Sequence, residues 1–276
     1  MNKRIVILGA GESGAGSAVL AQQKGFDVFV SDSGTVKDKY REILTSHKIP
    51  FEEGKHTPEL IMNAGEVIKS PGLREDNPLV VAIREKGIPV ISEIEFAGRY
   101  TNAFKVCVTG SNGKTTTTNL IYHMMKKAGL NVAMTGNVGN SFAMAVAQGG
   151  YDYYVIELSS FQLDGMYDFR AEIAIMMNIT PDHLDRYDHE MQNYVNSKMR
   201  VIRNQTGADH FIWCADDPVT AREVAARTIT AHSHPFSIDR CEAMAACIEN
   251  ENLILNITEK TSLMTIHDLA LKGRHN

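Results

Sequence analysis

The stretch Val108-Thr109-Gly110-Ser111-Asn112-Gly113-Lys114-Thr115-Thr116 carries the residue types that grip a polyphosphate. Gly110 and Gly113 remove Cβ atoms that would hold backbone N–H groups away from phosphate oxygens. Lys114 can neutralise outer phosphates, and the Thr115 hydroxyl can ligate Mg²⁺. An apolar, β-branched run from Phe104 to Val108 precedes the stretch and a helical pattern from Thr117 to Lys127 follows it. The helix N-terminus would then add its partial positive charge. The full Walker pattern has glycine where this chain has Val108, which leaves the shorter Gly-x-x-Gly-Lys-Thr variant. Spacing and flanks point to a nucleoside triphosphate site, with Gly110, Ser111, Asn112, Gly113, Lys114, Thr115 and Thr116 as its contacts.

A second glycine cluster, Gly9-Ala10-Gly11-Glu12-Ser13-Gly14, satisfies G-x-G-x-x-G after a short strand, and Asp32 ends the next strand. That is the dinucleotide fingerprint, with its acidic residue about twenty positions on. Three readings stand: an NAD-dependent oxidoreductase, a purely structural strand-to-helix turn, and a grip on the diphosphate of a UDP-sugar. The triphosphate loop favours the last, because an energy-coupled enzyme with a nucleotide-linked substrate needs a grip for each phosphate group.

Further polar residues gather at strand ends, where ligands of open α/β sheets sit. Glu157 closes the apolar strand that leads into Leu158-Ser159-Ser160-Phe161-Gln162. It suits Mg²⁺ as a hard ligand, or a helix cap or salt bridge. Asp182, His183, Asp185 and Arg186 follow the apolar run Ile173 to Met177 and form a candidate active-site cluster, although Asp182 could simply cap a helix. Lys198 lies on a helical pattern from Glu190 to Asn204, on one face with Tyr194, Val195, Val201 and Ile202. Such a lysine either snorkels to water or is held inside. Asp216-Asp217 could contact a nucleotide or form a solvated turn. His232 and His234 lack companions at metal-ligand spacing, and Trp213 reads as core.

The elements that must position these residues alternate in type. Strands are expected at Arg4–Leu8, Asp27–Ser31, Val67–Lys69 and Ile88–Ile91, with helices at Ala15–Lys24 and Pro78–Lys86. After the polar Tyr100-Thr101-Asn102, a second series places strands at Asn131–Met134, Tyr153–Leu158, Ala171–Asn178 and His210–Cys214. This predicts an α/β fold: a Rossmann-like parallel-sheet domain over 1–101, then a P-loop ATPase-type α/β domain over 102–276. From about His232 the short segments Ala245–Ile248, Leu253–Ile257 and Ser262–His267 read as a small antiparallel region.

The 276 residues are 43% hydrophobic and 22% charged, which suits a globular chain with a sizeable core. A net charge of −5 argues against a broad nucleic-acid footprint. No apolar run approaches a membrane span, and the N-terminus lacks signal-peptide character. Cys107, Cys214, Cys241 and Cys247 show no C-x-x-C spacing, which fits a reducing cytoplasm.

With these residues placed, the sequence resembles the Mur ligases, ATP-dependent amide-forming enzymes of peptidoglycan synthesis, and most of all their D-glutamate-adding branch. The likeness runs through Gly9 to Gly14, Ser70-Pro71-Gly72, Thr109 to Thr116, Gly136-Asn137, Glu157 to Gln162, Asp182 to Tyr187, and Lys198. Cys214 departs from it, standing where family members commonly carry Asn before Ala-Asp-Asp. The resemblance implies a ligase that joins D-glutamate to UDP-N-acetylmuramoyl-L-alanine through an acyl phosphate, with ATP and Mg²⁺, as a cytoplasmic monomer. A nucleotide-binding regulatory module is the non-enzyme alternative. Gly11, Ser13, Asp32, Gly72, Asn137, Ser159 and Gln162 would then bind the UDP-substrate. Thr115, Glu157, His183 and Lys198 would serve the metal, and Lys114, His183 and a carbamylated Lys198 the catalysis. Gly273-Arg274-His275-Asn276 resembles the start of an adenine-side motif ending in the ATP contact Asn276. The family's third domain would be missing and the chain inactive alone.

Overall fold

The structure is a computed structural model that describes residues 4–269; the expected ATP contact Asn276 lies outside them. The first sheet is parallel throughout, in the order β3-β2-β1-β4-β5. Its strands are β1 (Arg4–Leu8), β2 (Asp27–Ser31), β3 (Phe51–Glu52), β4 (Glu66–Lys69) and β5 (Val90–Ile91). The second sheet has nine strands, ordered β14-β13-β12-β11-β10-β9-β6-β8-β7. These are β6 (Phe104–Thr109), β7 (Val132–Gly136), β8 (Tyr153–Glu157), β9 (Ile173–Met176), β10 (His210–Cys214), β11 (His232–Ser237), β12 (Ala246–Glu249), β13 (Asn252–Asn256) and β14 (Lys260–Thr265).

Both sheets change winding direction at a central strand, and that choice places the loops. After β1 the chain first builds outward through β2 and β3, then returns to β4 on the other side of β1. The turns after β1 and β4 therefore meet at one crevice. In the second sheet β6 is flanked by β8 and β9, so the turn after β6 opens between two strand ends. Such switch points are where α/β sheets hold ligands.

Buried apolar runs explain why the strands form: Ile5 to Leu8 and Val106 to Val108 are at most 5% exposed. One apolar cluster spans both sheets, from Ile5 and Val30 through Phe96 and Phe142 to Tyr154 and Phe211. Carboxylates tie them together as well. Glu93 Oε1 accepts the Ala143 N–H at 2.9 Å, and Glu95 Oε2 accepts three successive N–H groups of Tyr167, Asp168 and Phe169.

Several expectations shift. The helices start earlier than their periodicity suggests, at Glu12–Gln23 and Lys114–Lys127, because each begins inside its glycine turn. The expected helix over Glu190–Asn204 is an α-helix, Met191–Met199, followed by a 3₁₀ turn, Arg200–Ile202. The small antiparallel region expected near the C-terminus is present as β12-β13-β14. β11 pairs parallel with β10 and with β12, and only β12-β13-β14 alternate. Cys241 and Cys247 form a disulfide with Cα atoms 5.2 Å apart, against the expectation of reduced cysteines. The cause is topological: the turn after β11 doubles back so that Cys247 pairs with Ser237 and meets the Cys241 side chain. Among the described residues no helix is long and apolar enough to cross a membrane.

Candidate functional site

The turn after β6 is held by its neighbours as much as by its own sequence. Gly110 has φ +146°, and a Cβ there would lie 2.9 Å from Met177 Cβ and 3.2 Å from the Asn178 backbone. The glycine thus lets the turn pack against the end of β9. Ser111 donates its N–H to the Asn178 carbonyl at 2.9 Å, and its hydroxyl donates to the Thr180 carbonyl at the same distance. Asn112 donates its N–H to Asn178 Oδ1, and Asn178 returns a bond to the Asn112 carbonyl. Gly113 occupies the N-cap of the following helix. Lys114 folds back to donate to the Ser111 carbonyl at 2.9 Å, and Thr116 is exposed.

Glu157 is 1% exposed at the end of β8, in register with Val108. Its two oxygens are both engaged: Thr115 Oγ1 donates to Oε2 at 2.7 Å and Asn137 Nδ2 to Oε1 at 2.8 Å. This joins three predicted site residues at the triphosphate turn. The open choice for Lys198 resolves as burial. It is 2% exposed, donates to the Gly110 carbonyl at 2.7 Å and lies 4.6 Å from the Tyr194 ring centroid. Burial, then the charge of Lys114, push its pKa down to about 7.

His183 lies in left-handed backbone, φ 50°, on the loop after β9. Its ring packs 5.3 Å from Phe161, and Nε2 is 3.6 Å from Asp182. Among the described residues no hydrogen bond or ion pair links His183 or Lys198 directly to Glu157. Among the described residues no group of three His, Cys, Asp or Glu is arranged for a metal.

At the first sheet, a Cβ on Gly14 would fall 1.8 Å from the Gly9 carbonyl oxygen, so only glycine closes this turn. Asp32 accepts the Ala10 N–H at 2.6 Å and the Gly34 N–H at 2.7 Å, which rigidifies the same crevice. Gly11 and Gly72 are exposed and Ser13 half-buried. Ser159 and Gln162 form a capping box on the helix Ser160–Asp164, with Gln162 2% exposed. Asp217 is the N-cap of Pro218–Ala225, and Asp216 accepts from Ser237 and Ile238. These bonds give both acids structural work that the sequence left open. His210 is the companion of His234 that spacing did not reveal, with ring nitrogens 2.9 Å apart across β10 and β11. A residue at the site that the sequence reading missed is Tyr194, whose hydroxyl meets Ser111 Oγ at 3.0 Å; its place beside Lys198 on the helix was the available signal.

Sheet order, glycine turn and strand-end carboxylate define an α/β protein of the P-loop type. Residues 108–276 match the Mur ligase middle domain and residues 4–79 the MurD N-terminal domain. The chain belongs to the Mur ligase family, which sets aside the oxidoreductase reading.

It is 59% identical to the UDP-N-acetylmuramoylalanine–D-glutamate ligase of Bacteroides fragilis, over 99% of this chain and 62% of that protein. To the same-named protein of Porphyromonas gingivalis it is 54% identical, over 99% and 61%. The chain thus spans about three fifths of these relatives' length. Among solved structures, the UDP-N-acetylmuramate:L-alanyl-γ-D-glutamyl-meso-diaminopimelate ligase of Neisseria meningitides matches 100% of this chain and 90% of its own, with TM-score 0.66 and 18% identity. The UDP-N-acetylmuramate-alanine ligase of Thermotoga maritima matches 91% and 57%, with TM-score 0.55 and 20% identity. At such identities the likeness speaks for the fold.

Proposed function

We propose that this chain, divided near residues 101 and 102, supplies the UDP-substrate grip and the ATP grip of a ligase. That ligase joins D-glutamate to UDP-N-acetylmuramoyl-L-alanine. The observation that carries the reading is the Thr115–Glu157 contact at the β6 switch point, in a chain so similar to proteins named for that reaction.

A carboxylate is a poor electrophile, so the alanine carboxylate must first take the γ-phosphoryl group of ATP. The D-glutamate amine then attacks the acyl phosphate and expels phosphate. Two anions are forced together in the first step, and the glycine-turn N–H groups and Lys114 offset their charge. Thr115 and Glu157 fit a magnesium ion, which at nucleotide sites takes one or two protein oxygens and fills its shell with phosphate and water. Bound there, the ion would neutralise phosphate charge. Asn137 holds Glu157 in place from the other side.

Lys198 is assigned a carbamate. A protonated lysine beside a cation site is repelled, whereas the neutral amine adds to CO₂, loses a proton and becomes an anion with two hard oxygens. Its lowered pKa supplies neutral amine near pH 7. His183, Ser13, Asp32, Gly72, Asn137, Ser159 and Gln162 are proposed to face the UDP-substrate.

Calorimetric titration of the chain with UDP-N-acetylmuramoyl-L-alanine, with NAD as comparison, tests the reading. Saturable binding of the UDP-substrate alone is expected. A folded chain that ignores it, or prefers NAD, refutes the assignment.

A further inference from the structure

Arginines tie the loop after β4 to the loop after β9, across the crevice between the sheets. Arg186, in the 3₁₀ turn Leu184–Arg186, donates from Nη2 to the Pro71 carbonyl at 3.2 Å and to the Leu73 carbonyl at 3.4 Å. Its Cζ lies 4.2 Å from the Phe161 ring centroid, and Phe161 in turn stacks on Tyr187. Arg74 reaches the other way and donates to the Asp185 carbonyl at 2.8 Å.

We infer that Arg186 is a positioning residue that aims the Gly72 N–H at the UDP-substrate; this rests on the reading of Gly72 proposed above. No peptide bond of the described chain is cis. In a trans peptide the carbonyl and the following N–H point in opposite directions. Drawing the Pro71 carbonyl onto Arg186 therefore turns the Gly72 N–H away from the guanidinium. That N–H makes no hydrogen bond among the described residues. The Leu73 carbonyl is also held by Lys69 Nζ at 2.8 Å, whereas among the described residues the Pro71 carbonyl has Arg186 alone. Loss of Arg186 thus frees one peptide, the one that carries the Gly72 donor. Stacking on Phe161 fixes the guanidinium plane, and lysine has neither the plane nor the fork. Arg186→Lys should fail to substitute.

The test compares the chain with its Arg186→Ala and Arg186→Lys variants by calorimetric titration with UDP-N-acetylmuramoyl-L-alanine, thermal melting, and amide exchange at Leu73. The Leu73 N–H bonds the Ser70 carbonyl at 3.1 Å and reports on this loop. Both variants should bind the UDP-substrate about tenfold more weakly, as loss of one or two hydrogen bonds implies. Leu73 should lose protection while the sheets keep theirs. Unchanged affinity, or rescue by lysine, overturns the inference and leaves the ligase reading intact. A drop in melting temperature with loss of protection throughout the chain marks plain fold support and also overturns it. Should the parent chain not bind the UDP-substrate, the ligase reading falls; unchanged Leu73 protection in Arg186→Ala then overturns the positioning role of Arg186 as well.

Discussion

Lys198 shows what one residue's surroundings decide. The apolar stripe around it in sequence is the same whether the amine snorkels to water or stays inside. What decides is the Gly110 carbonyl, 88 residues away in sequence, which receives the amine beneath the glycine turn. No local pattern contains that partner. The consequence for stability has a definite sign. Before any carbamate forms, a Lys198 amine with a folded pKa of about 7 instead of 10.5 binds fewer protons in the native state than in the unfolded state between those values. Stability therefore rises with pH across that window, and below it the full cost of burying the charge remains. Lys198→Met should remove this rise. Urea unfolding at several pH values between 7 and 10 checks it, and parent and variant curves that stay parallel would contradict it. Lys114→Ala should shift the lower edge of the rise to higher pH and so shorten it, since the Lys114 charge is the second cause of the lowered pKa. Arg186 was as hard to read as Lys198: its partners are backbone carbonyls, and any sequence supplies those.

Elements were legible in proportion to how much of their own burial they write into the chain. β1, β2 and β10 have the residues that the sequence predicts, because short apolar or β-branched runs end at turn residues. β11, His-Ser-His-Pro-Phe-Ser, has no such run; it is a strand because β10 and β12 pair with it on either side. β3 is two residues, too short for any periodicity, whereas the two residues of β5 fall inside the strand expected at Ile88–Ile91. The helix Glu93–Gly98 has its own kind of signal. Its N-cap Ser92 and acidic first turn are visible in sequence, but the burial of Glu95 is not. Glu95 Oε2 collects the N–H groups of Tyr167, Asp168 and Phe169 at 2.9, 3.0 and 2.9 Å, so one carboxylate fixes a loop of the second sheet against the first. Glu95→Ala leaves those donors without an acceptor and should cost about 3 kcal/mol or more, at roughly 1 kcal/mol or above for each. Glu95→Gln keeps an acceptor oxygen but loses the charge that strengthens it, so it should cost less. Denaturant midpoints measure both, and an alanine variant within about 1 kcal/mol of the parent would show that the loop holds itself.

At the scale of the whole molecule, the proposed phosphate grips sit at switch points of different sheets, and each is braced separately. Asp32 and the close approach of Gly14 to Gly9 hold the first. Asn178, Thr180 and Glu157 hold the second. The glycine spacing announced both turns from sequence; how the two sheets pack on each other depends on contacts such as Glu93 to Ala143, which no pattern encodes. Separate bracing predicts separable ligands. Among the described residues the hydrogen bond of Lys114 Nζ goes to the Ser111 carbonyl of its own turn, so its loss should leave the first sheet's crevice undisturbed. Lys114→Ala removes the cation proposed to face the outer phosphates. It should therefore weaken Mg·ATP binding at least about tenfold, the equivalent of roughly 1.4 kcal/mol, with UDP-N-acetylmuramoyl-L-alanine bound as in the parent. Paired titrations of one folded variant with each ligand decide the matter. A parallel loss of both would mean that the sheets act as one site and that the division of labour between them is wrong.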